Sequence, residues 1–291
     1  MAQDDLGDRM KMYENREASE RFMPLLPVYA RIDGRGFSKF TRGLKMPYDE
    51  DFRRAMIDTT KFLVEKTQAR LGYTQSDEIS LCWLADPEGG SVFFDARKQK
   101  MVSQLAALAS VRFARALSES TNPLLREKAA LDPTFDARAY SLPNKMECAN
   151  AFVWRENDAT KNALSMAVRT LYSHKQVEGR GRAEQHDMLF EKGINFNDYP
   201  DAFKRGVYVR RELVSRPLTQ EEIARIPEDR RPPVDQLVQR SRIMEVDMPI
   251  MAKVSNKVDV IFDGAAPVLF SEIAPEEETQ PAPRSASRQP R

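Results

Sequence analysis

Cysteine is scarce in this chain of 291 residues, which holds only two, Cys82 and Cys148. That number excludes a disulfide framework and fits a reducing compartment. Histidine is equally rare, with only His174 and His186, so there are too few ligands for a Cys/His zinc site. Long apolar runs are missing. No stretch approaches the roughly 20 consecutive apolar residues that span a bilayer. The start, "MAQDDLGDRMKMYE", is charged and has no signal-peptide h-region. The resulting expectation is a cytoplasmic protein without a membrane partner. A charge excess of either sign is also absent: 45 Lys+Arg stand against 44 Asp+Glu, a net charge of +1. A polycation that binds nucleic acid indiscriminately is thereby excluded, and local patches must decide what the protein binds.

What is present suffices for a sizeable core: 41% of residues are hydrophobic and 31% charged. An apolar run leads into "YARIDGRGFSKF" (29 to 40) and reads as a strand ending in a Gly-flanked turn. In residues 48 to 72 the apolar positions Phe52, Ala55, Met56, Phe62, Leu63 and Ala69 follow a helical period, acids crowd the start and Gly72 offers a stop. A short strand near Arg70 to Thr74, a tight turn at "QSDE", and alternation of Ile79, Leu81 and Trp83 then predict a hairpin. "GGSVFF" reads as a short β segment or turn. Met101, Leu105, Leu108, Ala109, Phe113 and Ala116 predict a helix over 96–117. A strand at "FDARAYSLP" (135 to 143) follows, then a helix from about Asp158 to Ser173 with Asn157 as N-cap. This order predicts an α+β fold, a βαββαβ (ferredoxin-like) core with helices on one face of an antiparallel sheet and accessory helices beyond. The tail from 272 onward, including "APEEETQPAPRSASRQPR" (274 to 291), is rich in Pro, Ser and charge and predicts disorder.

In such a sheet the end of the first strand lies beside the central hairpin turn. Asp33 is then expected to meet Asp77 and Glu78. Like charges that close need a compensating cation. Mg²⁺ suits few carboxylates shared with substrate phosphates, and the Gly34 carbonyl offers a further oxygen. Two such ions would serve an in-line phosphoryl or nucleotidyl displacement. Arg31, Arg35, Lys39, Lys45, Arg97 and Lys100 are the candidate triphosphate cations. Acids at strand ends are also ordinary surface charges, and the pattern by itself leaves both readings open. Trp83 and Trp154 both read as packing residues.

Five motifs in order narrow the choice. "RIDGRGFSKF" (31 to 40) and "GYTQSDEISL" (72 to 81) resemble the paired signature of the tRNA-histidine guanylyltransferase superfamily, including its Thg-like members. "FDARAYSLP", "WRENDATKN" (154 to 162) and "LFEKGINFNDYPDAFKRG" (189 to 206) are similar to three further family segments. The resemblance implies a palm-like domain that adds nucleotides to the 5′ end of tRNA in the 3′-to-5′ direction. In that chemistry a monophosphorylated end is activated with ATP or GTP, and the 3′-hydroxyl of a nucleoside triphosphate then attacks it. It also implies Asp33, Gly34 and Asp77 as ligands of two Mg²⁺ ions, with Asp33, Asp77 and Glu78 as the catalytic set and Glu78 in a supporting role. Ser76, Arg97 and Lys100 match residues near triphosphate, and Lys39 or Lys45 fills the loop-lysine position. Asn162, Lys192, Asn195, Asn197, Lys204, Arg210 and Arg211 become candidate RNA contacts. Related enzymes imply a homo-oligomer, a dimer or tetramer.

Departures refine the expectation. Thr160 and Ala163 replace the histidine and second asparagine of the family's H-I-N-N run, and Ser165 and Met166 replace a later aromatic and asparagine. The eukaryotic enzymes use that segment for tRNA-His recognition, so the expectation leans to the Thg-like branch, which repairs truncated tRNA 5′ ends by template pairing. The alternatives are a strict tRNA-His guanylyltransferase, a palm-fold nucleotide cyclase or forward polymerase, and a non-catalytic RNA-binding paralogue. The expected organisation is a lead-in (1–24), the nucleotidyltransferase domain (25–211), an accessory region (212–271) and the tail (272–291).

Overall fold

The path of the chain follows from where its apolar faces can be buried. The computed structural model describes residues 5–88, 90–233 and 236–272. Helix α1 (Asp5–Ala18) precedes strand β1 (Val28–Gly34), helix α2 (Glu50–Thr67), the hairpin β2 (Leu71–Gln75) and β3 (Glu78–Trp83), and helix α3 (Lys98–Ser118). Then come β4 (Phe135–Ser141), the long helix α4 (Lys145–Arg169), β5 (Val207–Pro217), β6 (Leu237–Val246) and helix α5 (Lys257–Phe262), with short helical turns between. Among the described residues the sheet has six strands in the order β4-β1-β3-β2-β5-β6, and every pair is antiparallel. The first four strands with α2 and α3 give the expected βαββαβ succession.

Alternation along each strand divides the side chains between two cores. Val28, Ala30 and Ile32 of β1, with Ile79, Leu81 and Trp83 of β3, pack against α2 and α3. Trp83 is buried, and its indole N–H donates to the Thr67 carbonyl at 2.9 Å. On the opposite face Tyr29, Tyr73, Cys82 and Tyr208 pack against Cys148, Ala149 and Phe152 of α4 and against α5. Helices therefore cover both faces of the sheet, where the sequence predicted one.

Local signals set most helix ends. The Asp49 carboxylate accepts from the N–H groups of Asp51 and Phe52 at 3.1 and 3.0 Å and starts α2. Asn144 does the same for α4 through Glu147 N–H at 2.8 Å. Helix α4 thus begins at Lys145, well before the expected start near Asp158, and Asn157 lies in its interior. Its buried stripe, Cys148, Phe152, Ala159, Ala163 and Ala167, runs unbroken past the polar Asn157–Asp158 pair that resembled a cap. "GGSVFF" ends in a helical turn over Phe93–Ala96. Strand β5 runs through the expected boundary at 211; beyond Val209 its strand partner among the described residues is β6. The expected disordered tail falls on residues 273–291, outside the described residues, while Glu272 ends a short turn over Phe270–Glu272.

Two buried carboxylates fasten α4 to the sheet. Arg155 Nε and an Nη donate to the two carboxylate oxygens of Glu78 at 2.6 and 2.7 Å, a two-pronged pair with both side chains buried. One residue on, Glu156 accepts from the Tyr208 hydroxyl at 2.7 Å and from Met251 N–H at 3.1 Å. Burial pushes the Glu156 carboxyl up, and the bonds from Tyr208 and Met251 pull it partly back.

Removing Arg155 takes the two-pronged partner from the buried Glu78 and leaves it only the Arg31 Nε at 3.8 Å. Arg155→Met is expected to cost about 3–5 kcal/mol in urea unfolding, and adding Glu78→Gln to recover most of that loss. Glu156→Ala strands the Tyr208 hydroxyl and Met251 N–H and is expected to cost about 3 kcal/mol. Because the folded carboxyl of Glu156 is raised, its contribution is fully present below its unfolded value near 4.5 and falls as pH rises through the folded value. Glu156→Gln, which does not titrate, should therefore gain stability relative to wild type between pH 4 and pH 7 in paired urea titrations.

Candidate functional site

The register of β1 against β3 sets Asp33 opposite Glu78. Next to that pair the Gly34 N–H donates to the Asp77 carbonyl oxygen at 3.0 Å, closing the strand end onto the hairpin turn. Gly34 is required by packing: a Cβ there would stand 2.5 Å from the Phe37 ring. That ring, buried beneath the turn, contacts Phe40, Phe113 and Phe135 at 4.8, 5.6 and 5.0 Å between centroids. Gly36, at φ 71, lets the chain enter the helical turn Phe37–Phe40. The acidic strand end thus rests on an aromatic floor.

Ser76 occupies the left-handed region at φ 49, and its hydroxyl donates to the Asp77 carboxylate at 3.1 Å. Burial, and behind it the charge of Asp33, push the Asp77 carboxyl up against that bond. Asp33 and Asp77 therefore act on each other as like charges. Glu78, the register partner of Asp33, still feels its charge but is itself held by Arg155, with the Arg31 Nε 3.8 Å from its other side. The expected convergence of three carboxylates is reduced to two: among the described residues no group of three or more His, Cys, Asp or Glu is arranged to hold a metal ion. The reason is that the Glu78 charge is already matched by a buried guanidinium.

The basic candidates divide into two groups. Arg31 lies at the acidic pair, its Nε buried without a hydrogen-bond partner. Arg35, Lys39 and Lys45 are exposed on the loop that follows. Lys45 is tied by its N–H to Asp49, and the same loop stacks Tyr48 on Phe203 at 4.9 Å. Arg97 and Lys100 lie elsewhere. Strand β3 runs away from the hairpin turn, so α3 begins at the far end of the sheet, where Phe93 stacks on Trp83. Trp83 pairs with Val28 and Glu78 with Asp33, five residues along, or roughly 17 Å at a strand rise of about 3.3 Å per residue. Within one chain Arg97 and Lys100 do not join the carboxylates.

The RNA candidates are also dispersed. Asn162 is exposed on α4, one turn past Asp158, which bonds Arg155 at 3.0 Å. Asn195 caps the turn Phe196–Asp198, Lys192 lies over the Tyr172 ring, and Lys204 bonds the Asn197 carbonyl at 2.7 Å and Asp201 at 3.0 Å. These residues surround a third apolar cluster at the C-terminal half of α4. Arg210 is a correction: it is buried, donating to the carbonyls of Val260 and Ala265 at 3.2 and 2.8 Å, and it holds α5 instead of facing solvent. Arg211 points to the other face of β5, toward Ser241 and the Glu65 carbonyl.

Sequence reasoning missed Arg155 and Glu156 and took Trp154 for a packing residue. The first two are charged residues on the apolar stripe of a helix, an anomaly that marks a buried pair. Trp154 is 51% exposed. Nothing in its spacing separates it from a core aromatic.

A family model described as tRNAHis guanylyltransferase matches residues 7–143. A bacterial tRNA(His) guanylyltransferase (Thg1)-like protein solved in complex with ATP is 37% identical, with a TM-score of 0.64 over 71% of this chain and 88% of that one. A bacterial protein of the same description in complex with GTP is 31% identical, with a TM-score of 0.64 over 86% and 95%. The tRNA(His) guanylyltransferase of Schizosaccharomyces pombe is 29% identical over 221 residues, 70% of this chain and 81% of that protein. The chain belongs to the Thg1 family of tRNA(His) guanylyltransferases.

Proposed function

We propose that this protein is a palm-like, metal-dependent nucleotidyltransferase that adds nucleotides to the 5′ end of tRNA in the 3′-to-5′ direction. Its task is template-directed repair of truncated ends. The observation that carries this reading is the pairing of Asp33 and Asp77 at the junction of β1 with the β2–β3 turn, with Glu78 withdrawn to Arg155. Two mutually repelling carboxylates fit Mg²⁺, which takes one or two carboxylates and completes its shell with water and phosphate oxygens. Asp33, Asp77 and the Gly34 carbonyl would hold the ions, which when bound supply charge neutralisation for the attacking and leaving oxygens.

The other residues bind and orient. Ser76, Arg35 and one of Lys39 and Lys45 face the triphosphate of ATP or GTP from the turn and the loop. Burial raises the Glu78 carboxyl and the bonds from Arg155 offset part of that while holding the side chain turned aside, so the metal-binding set stays at two acids. Arg97 and Lys100 would reach an anion at this site only from a neighbouring subunit. A homo-oligomer is further supported by α1, which buries none of its residues and exposes Leu6, Met10 and Tyr13. Repair is favoured over strict tRNA-His addition by Thr160 and Ala163, which supply neither the imidazole nor the amide of the H-I-N-N run.

The test is incubation with Mg²⁺, ATP and labelled nucleoside triphosphates on a 5′-monophosphorylated tRNA lacking its first nucleotide. Wild type is expected to restore the nucleotide that pairs with the opposite strand. Asp33→Ala and Asp77→Ala should lower the rate by orders of magnitude while RNA binding persists. Undiminished transfer by either variant would remove the reading.

A further inference from the structure

Of the two tryptophans, Trp83 is buried and bonded and Trp154 stands half in solvent. A large exposed aromatic beside a row of charges calls for an explanation. Trp154 is on the side of α4 that meets Arg31 of β1, whose register partner on β4 is Arg138, whereas Glu156 meets Tyr208. Its ring is held by two guanidiniums, with Arg155 Cζ 4.6 Å and Arg31 Cζ 6.0 Å from the centroid. Both arginines also lean on Glu78, so the ring is braced by a buried ion triad.

The surface around the ring is an open shelf. On β4 the side chains of Asp136 and Arg138 share the α4 face of the sheet and are exposed. In register, Arg31 lies opposite Arg138 and Asp33 opposite Asp136. The shelf thus carries one exposed aromatic plane, the exposed guanidinium of Arg138, which pairs with Asp136 at 3.3 Å, the half-buried Arg31 beneath the ring and, two residues along β1, Asp33. A π-face flanked by fixed cations is the arrangement that stacks an unpaired base while its phosphodiester is neutralised.

We propose that Trp154 is a stacking platform for an unpaired nucleobase of the RNA, seated on the β4 shelf beside the reacting end. The inference rests on the nucleotidyltransferase reading for the identity of the ligand. The RNA is favoured over the nucleoside triphosphate because Ser76, Arg35 and the loop lysines lie at the strand ends, whereas Trp154 is set back along β1 at Arg31. Stacking needs only the ring, so Phe should serve in its place and Ala should not.

The experiment uses the full chain and a 5′-monophosphorylated tRNA lacking its first nucleotide, read by intrinsic tryptophan emission and by filter binding. RNA is expected to quench wild-type emission. Trp154→Phe should abolish the quench yet bind within about threefold of wild type. Trp154→Ala should weaken RNA binding about tenfold, as loss of one stacked base does. Matched urea transitions for the variants would show that the fold is kept. Wild-type affinity in Trp154→Ala, or emission that responds to GTP or ATP alone and not further to RNA, overturns the proposal. Quenching and the Ala defect in a chain that transfers no nucleotide would uphold the platform and remove the reading it rests on. Normal transfer with no Ala defect would do the reverse.

Discussion

The two-pronged pair between Glu78 and Arg155 is the contact on which the arrangement of the site depends. It joins the middle of the sheet to the middle of the longest helix, and both partners are buried. Such a pair is an uncertain source of net stability, because desolvating two ions consumes most of their attraction. Its effect is on geometry. Once Arg155 points down at Glu78, the helical step of about 100° per residue sends Trp154 to one side and Glu156 to the other. Three consecutive residues therefore serve solvent, sheet and C-terminal elements in turn. The same pair removes Glu78 from the acidic cluster, so only Asp33 and Asp77 face each other.

That remaining confrontation is supported from below. The Phe37 ring fills the space a side chain at Gly34 would take, and its neighbours come from α2, α3 and β4. Packing from several elements fixes the strand end, so the two carboxylates do not relax apart. Burial in this setting raises the Asp77 carboxyl, and the charge of Asp33 adds to it. Stability given up at one point and recovered in a surrounding core is the pattern expected of a functional site.

Much of this was legible in the sequence, for identifiable reasons. Alternation at Ile79, Leu81 and Trp83 and the helical spacing around Met56 and Phe113 specify the sheet and helices α2 and α3, because burial of one face dictates both periods. The meeting of Asp33 with the Ser76–Asp77 turn follows from strand order. Three features were not legible. The far-end position of Arg97 and Lys100 is a matter of chain direction, which closeness in sequence to the "SDE" turn conceals. The start of α4 was masked by a polar pair within a helix whose stripe runs on. The fates of Arg155, Glu156 and Arg210 depend on partners 50 or more residues away, and local composition carries no trace of those.

The two outer strands have a consequence for association. Among the described residues β4 and β6 are the sheet's free edges. Each carries charge along its length, Asp136 and Arg138 on one, Arg240, Arg242 and Glu245 on the other. A second chain adding a strand to either would have to bury these ions against its own backbone, a cost that discourages ladder growth. Edge-to-edge β addition between copies of this protein is thereby disfavoured on both sides of the sheet.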